Sequence, residues 1–160
     1  MVILITGASG GFGSELTNFF LKKGHQLILQ SHSRDVSIND NQNVKVLTCD
    51  LTKESEIEDF VTSSMKSFGR IDAVLHCAGI SKNAISWKTT LDSWNETIAV
   101  NLTAPFIINK LVLPIMKKQQ FGRLIHLSSV VSQTGFPGTV AYAASKAGLS
   151  GLTKTMSKEV

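Results

Sequence analysis

The chain is 160 residues long, 42% hydrophobic and 18% charged, which suits one soluble globular domain with a real core. Sixteen basic and twelve acidic side chains give a net charge of +4, but the lysines are scattered and the pairs at 22–23 and 117–118 make no stripe, so a nucleic-acid partner is not expected. Cys49 and Cys77 form no C-x-x-C and are too few for a disulfide framework, which points to a reducing compartment.

The opening "MVILITG" is apolar but short and lacks a basic flank, so it reads as a first strand (2–6), not as a signal peptide or membrane span. A cytoplasmic protein with no membrane partner is the expectation. Further runs rich in Val, Ile and Leu follow at 26–30, 44–48, 72–76 and 123–128, as in strands buried on both faces. Between the first two, "SELTNFFLKKG" places Leu16, Phe19 and Phe20 at i, i+3, i+4, with Gly24 to stop the helix. Thr52 is placed to cap a second helix, which carries Ile57, Phe60, Val61 and Met65 and stops at Gly69. Residues 91–120 read as one long helical region interrupted by Pro105 and Pro114, and the chain is helical again from about 141. This β-α-β-α order predicts an α/β fold: a doubly wound parallel sheet of at least five strands with helices on both faces and right-handed crossovers. No repeat, low-complexity tract or linker interrupts it, so residues 1–160 read as a single domain.

"TGASGGFG" (6–13) directly follows the first strand and opens the first helix. Its glycines at 7, 11 and 13 permit a tight turn and close approach to a ligand, and the helix N-terminus behind them offers free N–H groups to a pyrophosphate. A glycine-rich turn without a ligand is the alternative; strand before and helix after favour a dinucleotide.

The spacing T-G-x-x-x-G-x-G, followed in order by "CDL" (49–51), "CAG" (77–79), "VNL" (100–102), "LSS" (127–129) and "YAASK" (142–146), resembles the short-chain dehydrogenase/reductase superfamily over essentially the whole chain. The resemblance implies a single NAD(P)-binding Rossmann domain. It assigns the dinucleotide to Thr6, Gly7, Ser9, Gly10, Gly11, Phe12 and Gly13, with Asp50 and Leu51 at the adenine and Cys77, Ala78 and Gly79 under the adenosine ribose. The chain departs from the family at 76–79, where His-Cys-Ala-Gly stands for the usual Asn-Asn-Ala-Gly. A small buried residue is the expected role of Cys77. At the end of the second strand, Ser31, His32, Ser33 and Arg34 supply hydroxyls and a cation but no carboxylate, which suits the 2′-phosphate of NADP(H) over NAD(H). No metal is expected.

Tyr142 and Lys146 stand at i, i+4, about 6 Å apart on one helix face. Ser129 precedes Tyr142 by thirteen residues and Asn101 precedes Ser129 by twenty-eight, and both separations match the family's Asn-Ser-Tyr-Lys tetrad. Reducing a carbonyl by hydride leaves an alkoxide, which needs a proton donor. A phenol with a pKa near 10 serves poorly at neutral pH unless a nearby ammonium stabilises the phenolate. The resemblance therefore casts Tyr142 as acid and base, Ser129 as donor to the substrate oxygen, and Lys146 as holder of the nicotinamide ribose. Pro105 has no N–H, so the carbonyl of Asn101 loses its i+4 partner and is free to hold a water that relays protons to Lys146; a kink without a role is the alternative.

Ala143, Ala144, Ala147, Gly148 and Gly151 are expected to let this helix pack closely, against the sheet or a partner subunit. Family members commonly pair the helices matching 101–120 and 141–158 between subunits, which implies a homo-oligomer. The stretch 80–102 is most like 3-oxoacyl-[acyl-carrier-protein] reductases, implying a small carbonyl or acyl-thioester substrate. Val160 falls about 18 residues after Tyr142, whereas family members continue through a further strand and a substrate lid. The chain thus reads as a reductase truncated before its substrate-binding segment; the alternative is a dinucleotide-binding module, sensor or subunit, without turnover.

Overall fold

The computed structural model describes residues 1–32, 36 and 41–160. Five strands, β1 (Val2–Thr6), β2 (Gln26–Ser31), β3 (Val44–Thr48), β4 (Ala73–His76) and β5 (Arg123–His126), form one sheet in the order β3-β2-β1-β4-β5. Every pairing is parallel, with Ile3 opposite both Leu27 and Ala73, and Val74 opposite Leu124. The doubly wound parallel sheet expected from the sequence is therefore the one observed.

The alternation of side chains along the strands sorts the core into two layers. Val2, Leu4, Ile28 and Val74 pack with Ile57, Phe60 and Val61 of α2 (Glu54–Phe68) and with Ile108 and Val112 of α4 (Ala104–Gln119). Ile3, Ile5, Leu27, Leu29 and Leu75 pack with α1 (Gly11–Lys22) on the other face. α1 turns Gly13, Leu16, Thr17, Phe20 and Leu21 inward. Phe19, expected in that stripe, is 54% exposed; it lies a helical step outside it and meets only the edge of Phe20 and the Lys23 ammonium.

Three further expectations are corrected. Thr52 does not cap α2: its N–H and hydroxyl both donate to Asp50 Oδ1, at 2.9 and 2.7 Å, because a carboxylate two residues back is the stronger acceptor. The helix starts at Glu54 and ends, as expected, on left-handed Gly69. The long helix is interrupted ahead of its prolines. α3 (Leu91–Ile98) passes through a π-helical turn at Ala99–Thr103 into α4, whose first turn contains Pro105 and whose interior contains Pro114. The fifth strand stops at His126, short of 128, because the Leu127 carbonyl turns to accept from Lys146 Nζ. The helical stretch 91–119 contains an 18-residue window apolar enough to span a membrane, with mean hydropathy 1.6, yet Ile107, Ile108, Val112 and Met116 in this stretch belong to the core.

Past β5, a short helix, α5 (Val131–Thr134), leads into α6 (Val140–Met156), the helix that carries Tyr142 and Lys146. Of its two glycines Gly148 packs tightly within the chain, since a Cβ there would stand 2.7 Å from Leu102 Cδ2, and Ala141 and Ser145 are buried as well. Ala144, Ala147 and Gly151 are exposed and do not face the sheet.

Two glycines separate backbone strain from crowding. Gly7 (φ 65) and Gly24 (φ 76) both have left-handed backbones, but a Cβ on Gly7 would stand 2.7 Å from Ala78 Cα whereas Gly24 is in open space. Urea denaturation should show Gly24→Ala costing about 1 kcal/mol and Gly7→Ala at least twice that, because the backbone of Ala78 cannot yield as a side chain would. Equal costs would mean that the close approach of Gly7 to Ala78 carries no energy.

Candidate active site

All five strands end on one edge of the sheet, and a cavity of about 450 Å³ opens there. The loop after β1 forms its floor. Gly7 N–H donates to Gln30 Oε1 at 2.8 Å, Gly10 N–H donates to the Gly7 carbonyl at 3.0 Å, and Thr6 Oγ1 accepts from Ala78 N–H at 3.2 Å. Gly13 is buried against the Gly7 carbonyl, where a Cβ would overlap it. Gly10 is the N-cap of α1 with no side-chain hydrogen bond, and the first turn holds no acidic residue. The leading N–H groups of α1 are thus left for an anion.

Gly7, Ser9, Gly10, His32, Asp50, Leu51, Cys77, Ala78 and Gly79 line the cavity. Thr6 and Gly13 brace its wall from behind, Ser31 is buried at the end of β2, and Gly11 and Phe12 are exposed beside the loop. Ser33 and Arg34 lie outside the described residues. The Asp50 carboxyl is held below the usual carboxylate range, chiefly by the N–H and hydroxyl of Thr52, with His32 at 3.9 Å and Lys53 at 3.6 Å contributing. Burial pushes the Cys77 thiol up to about 11, with Lys146 opposing, and Cys49 up to about 12. Neither is a poised thiolate, in keeping with a space-filling role for Cys77.

Sequence reasoning missed Gln30. It is buried at the end of β2, and its amide accepts from Gly7 N–H and donates to the Cys49 carbonyl at 2.7 Å, fastening the glycine loop to β3. A polar residue inside an otherwise apolar strand run was the available signal. Glu96 and Val100 also line the cavity; nothing in the local sequence marks Glu96, and Val100 is legible only as part of the VNL motif, not as a lining residue.

Behind Gly79 in the cavity wall, the π-helical turn holds Asn101, which is 1% exposed. Its Oδ1 accepts from Ile80 N–H at 2.9 Å, and its Nδ2 donates to the Ile80 carbonyl at 2.9 Å and to Ser145 Oγ at 3.1 Å. Ser145 in turn donates to the Tyr142 carbonyl at 2.7 Å, so one amide ties the loop after β4 to α6. Lys146 is 5% exposed; its Nζ donates to the Leu127 carbonyl at 2.7 Å and lies 5.7 Å from the centre of the Tyr142 ring. Burial lowers its pKa, with Cys77 acting slightly the other way. A Cβ on Gly79 would stand 3.5 Å from Asn101 Oδ1 and 3.7 Å from Lys146 Nζ, ordinary contact distances that put this part of the cavity wall beside the amide and the ammonium. Ser129 follows Leu127 by two residues, on the loop whose carbonyl holds Lys146, and its own carbonyl accepts from Ser132.

A family model for short chain dehydrogenases matches residues 1–160. The chain belongs to the short-chain dehydrogenase family. It is 38% identical to YxjF, an uncharacterized oxidoreductase of Bacillus subtilis, over 96% of this chain and 62% of that protein. It is 34% identical to the 3-oxoacyl-[acyl-carrier-protein] reductase FabG of Thermotoga maritima, over 99% of this chain and 68% of the reductase. A crystal structure of a short-chain dehydrogenase from Streptomyces avermitilis superposes with a TM-score of 0.92 at 25% identity, covering 99% of this chain and 60% of that one. The chain therefore spans roughly three fifths to two thirds of the relatives it matches. Members of this family bind nicotinamide dinucleotides, and the uncapped helix and open glycine loop of this chain are a donor set that such a group fits.

Asn101→Ala should lower stability by about 2 kcal/mol in urea denaturation, since it strands the buried Ile80 peptide groups and Ser145. Tyr142→Phe, which removes one hydroxyl from a half-buried ring, should stay within about 0.5 kcal/mol of the parent. Cys77 should alkylate about a hundredfold more slowly than a free cysteine near neutral pH, because a pKa near 11 in place of 9 cuts the thiolate by that factor. Mass spectrometry of the modified peptide checks this.

Proposed function

We propose that the chain carries the dinucleotide site and proton-transfer residues of an NADP(H)-dependent reductase of small carbonyl substrates, with 3-oxoacyl thioesters the favoured class. The observation that carries this reading is the linkage of Asn101 through Ser145 to Tyr142, with Lys146 Nζ 5.7 Å from the Tyr142 ring, just behind Gly79 of a cavity that the glycine loop at the uncapped start of α1 also lines.

The loop from Gly7 to Gly13 and the N-terminus of α1 hold the pyrophosphate, Asp50 and Leu51 receive the adenine, and Cys77–Gly79 support the ribose. His32, together with Ser31, Ser33 and Arg34, recognises the 2′-phosphate; no carboxylate stands among them to repel it. When bound, the nicotinamide supplies the hydride. Tyr142 delivers the proton to the substrate oxygen and recovers it in the reverse direction, and Ser129 donates a hydrogen bond to that oxygen. Lys146, an ammonium within 6 Å of the phenol ring, stabilises the phenolate left behind. The Asn101 carbonyl, deprived of an i+4 donor by Pro105, seats a water that returns the proton.

We read residues 1–160 as one dinucleotide-binding domain that needs a further segment for its substrate pocket. An apolar cavity of about 550 Å³ beside the open edge of β5, walled by Leu113, Met116, Phe121 and Met156, suits an additional strand. The exposed Ala144, Ala147 and Gly151 of α6 suit close approach of a second copy, hence a cytoplasmic homo-oligomer. A nucleotide-binding module without turnover is the alternative reading.

Fluorescence titration should give at least tenfold tighter binding of NADPH than NADH; a ratio below one overturns the 2′-phosphate assignment. With an acetoacetyl thioester, loss of nicotinamide absorbance should report reduction, and Tyr142→Phe should slow it by about 10²–10⁴ while leaving NADPH affinity within twofold. Binding without reduction supports the module.

A further inference from the structure

The His-Cys-Ala-Gly departure has a structural counterpart away from the cavity. His76 ends β4, His126 ends β5, and the two are register partners whose rings stack at 4.8 Å and 7°. Asn109, on α4, is fully buried against both. Its Oδ1 lies 2.8 Å from His76 Nε2 and its Nδ2 lies 2.9 Å from His126 Nε2. His126 Nδ1 is 2.9 Å from Thr153 Oγ1 on α6, and Thr153 Oγ1 is 2.7 Å from the Leu149 carbonyl.

Hydrogen counting fixes the direction of this chain. The Leu149 carbonyl only accepts, so the Thr153 hydroxyl donates to it and accepts from His126 Nδ1–H. A neutral imidazole has one N–H, so His126 Nε2 accepts from the Asn109 amide NH₂. The amide oxygen then accepts from His76 Nε2–H, which leaves His76 Nδ1 as a bare lone pair; it is buried and has no partner among the described residues. A proton added to His126 would aim N–H at NH₂. Reversing the amide would relieve that clash and create another at His76. The cation acting on both rings is Lys146, on α6; α4 and α6 bring Asn109 and Thr153 to them, and Met156 to the Asn109 amide.

We propose that Asn109, His76 and His126 are positioning residues: a two-ended amide clamp that closes only on two neutral imidazoles of opposite tautomer and fixes α6 to the ends of β4 and β5. His126 immediately precedes Leu127, whose carbonyl holds Lys146 Nζ, so the clamp sets the ammonium as well as the helix. Its importance for reaction rests on the roles proposed for Tyr142 and Lys146; the clamp itself does not. Burial, the partner ring and Lys146 push His76 down to about 3, and burial followed by Lys146 lowers His126. Folded-state pKa values below the unfolded value mean that the stabilisation is complete above the ordinary histidine range and is lost as pH falls below it.

Imidazole nitrogen spectra of the ¹⁵N-labelled chain test this without turnover. The expected result at neutral pH is His76 as the Nε2–H tautomer and His126 as the Nδ1–H tautomer, neither titrating in the ordinary histidine range. Matching tautomers, the reversed pair, or ordinary titration of either ring overturns the clamp. In Asn109→Asp the carboxylate accepts from both rings, so His126 should keep its Nδ1–H on Thr153 and gain an Nε2–H, and the pair should take up that proton at higher pH than in the parent. The folded-to-unfolded ratio should then fall less steeply in acid than in the parent, by up to tenfold per pH unit. The Lys146 Nζ resonance should follow that titration; an Nζ signal indifferent to it removes the positioning role. If the imidazoles behave as stated but no reduction is found, the reductase reading fails and the clamp stands.

Discussion

A sheet in which all strands run the same way must bring all its C-terminal ends to one edge, and the rest of this molecule follows from that constraint. β1, β2 and β4 are too deeply buried to carry polar side chains along their length, so polar groups gather where these strands stop. Thr6, Gln30, Ser31, His76 and His126 all sit at strand ends or one residue short of them. The cavity, the glycine loop and the ends of α3 and α6 are arranged around that edge.

Burying polar groups at such an edge costs free energy unless each finds a partner. The chain meets this repeatedly with one device, an uncharged amide that accepts at one end and donates at the other. Gln30 joins the glycine loop to β3, Asn101 joins the loop after β4 to α6, and Asn109 joins two imidazoles on neighbouring strands. Gln119 does the same at the far edge, accepting from Ile71 N–H and donating to its carbonyl. An amide bridges two elements without the desolvation penalty of an ion pair, and it has only one correct orientation. The buried charge left at the site is Lys146, and it is held by a carbonyl, not by a carboxylate, which keeps its ammonium available to the phenol beside it.

Much of this was legible in the sequence because it is written in local pattern. β1, β2 and β4, buried on both faces, announce themselves as continuous Val, Ile and Leu runs, whereas the runs at 44–48 and 123–128, expected to be buried likewise, form the edge strands β3 and β5 and are partly exposed; Gly24 and Gly69 stop their helices for reasons internal to the backbone. The expectations that failed were those in which a local rule met a stronger neighbour. Thr52 lost its capping role to Asp50, the last residues of the fifth strand were drawn off by Lys146, and the long helix relaxed through a π-helical turn where Asn101 needed to reach both Ile80 and Ser145.

The sequence by itself determined the order of strands and helices, the glycine loop, and the spacing of Asn101, Ser129, Tyr142 and Lys146, since these depend on residue type and separation along the chain. Only the tertiary structure decided which polar residues are partners. Gln30 meets Gly7, His76 meets His126, and Asn101 meets Ser145 across separations that no periodicity encodes, because such pairs form only when parallel strands and crossover helices bring distant ends to the same edge.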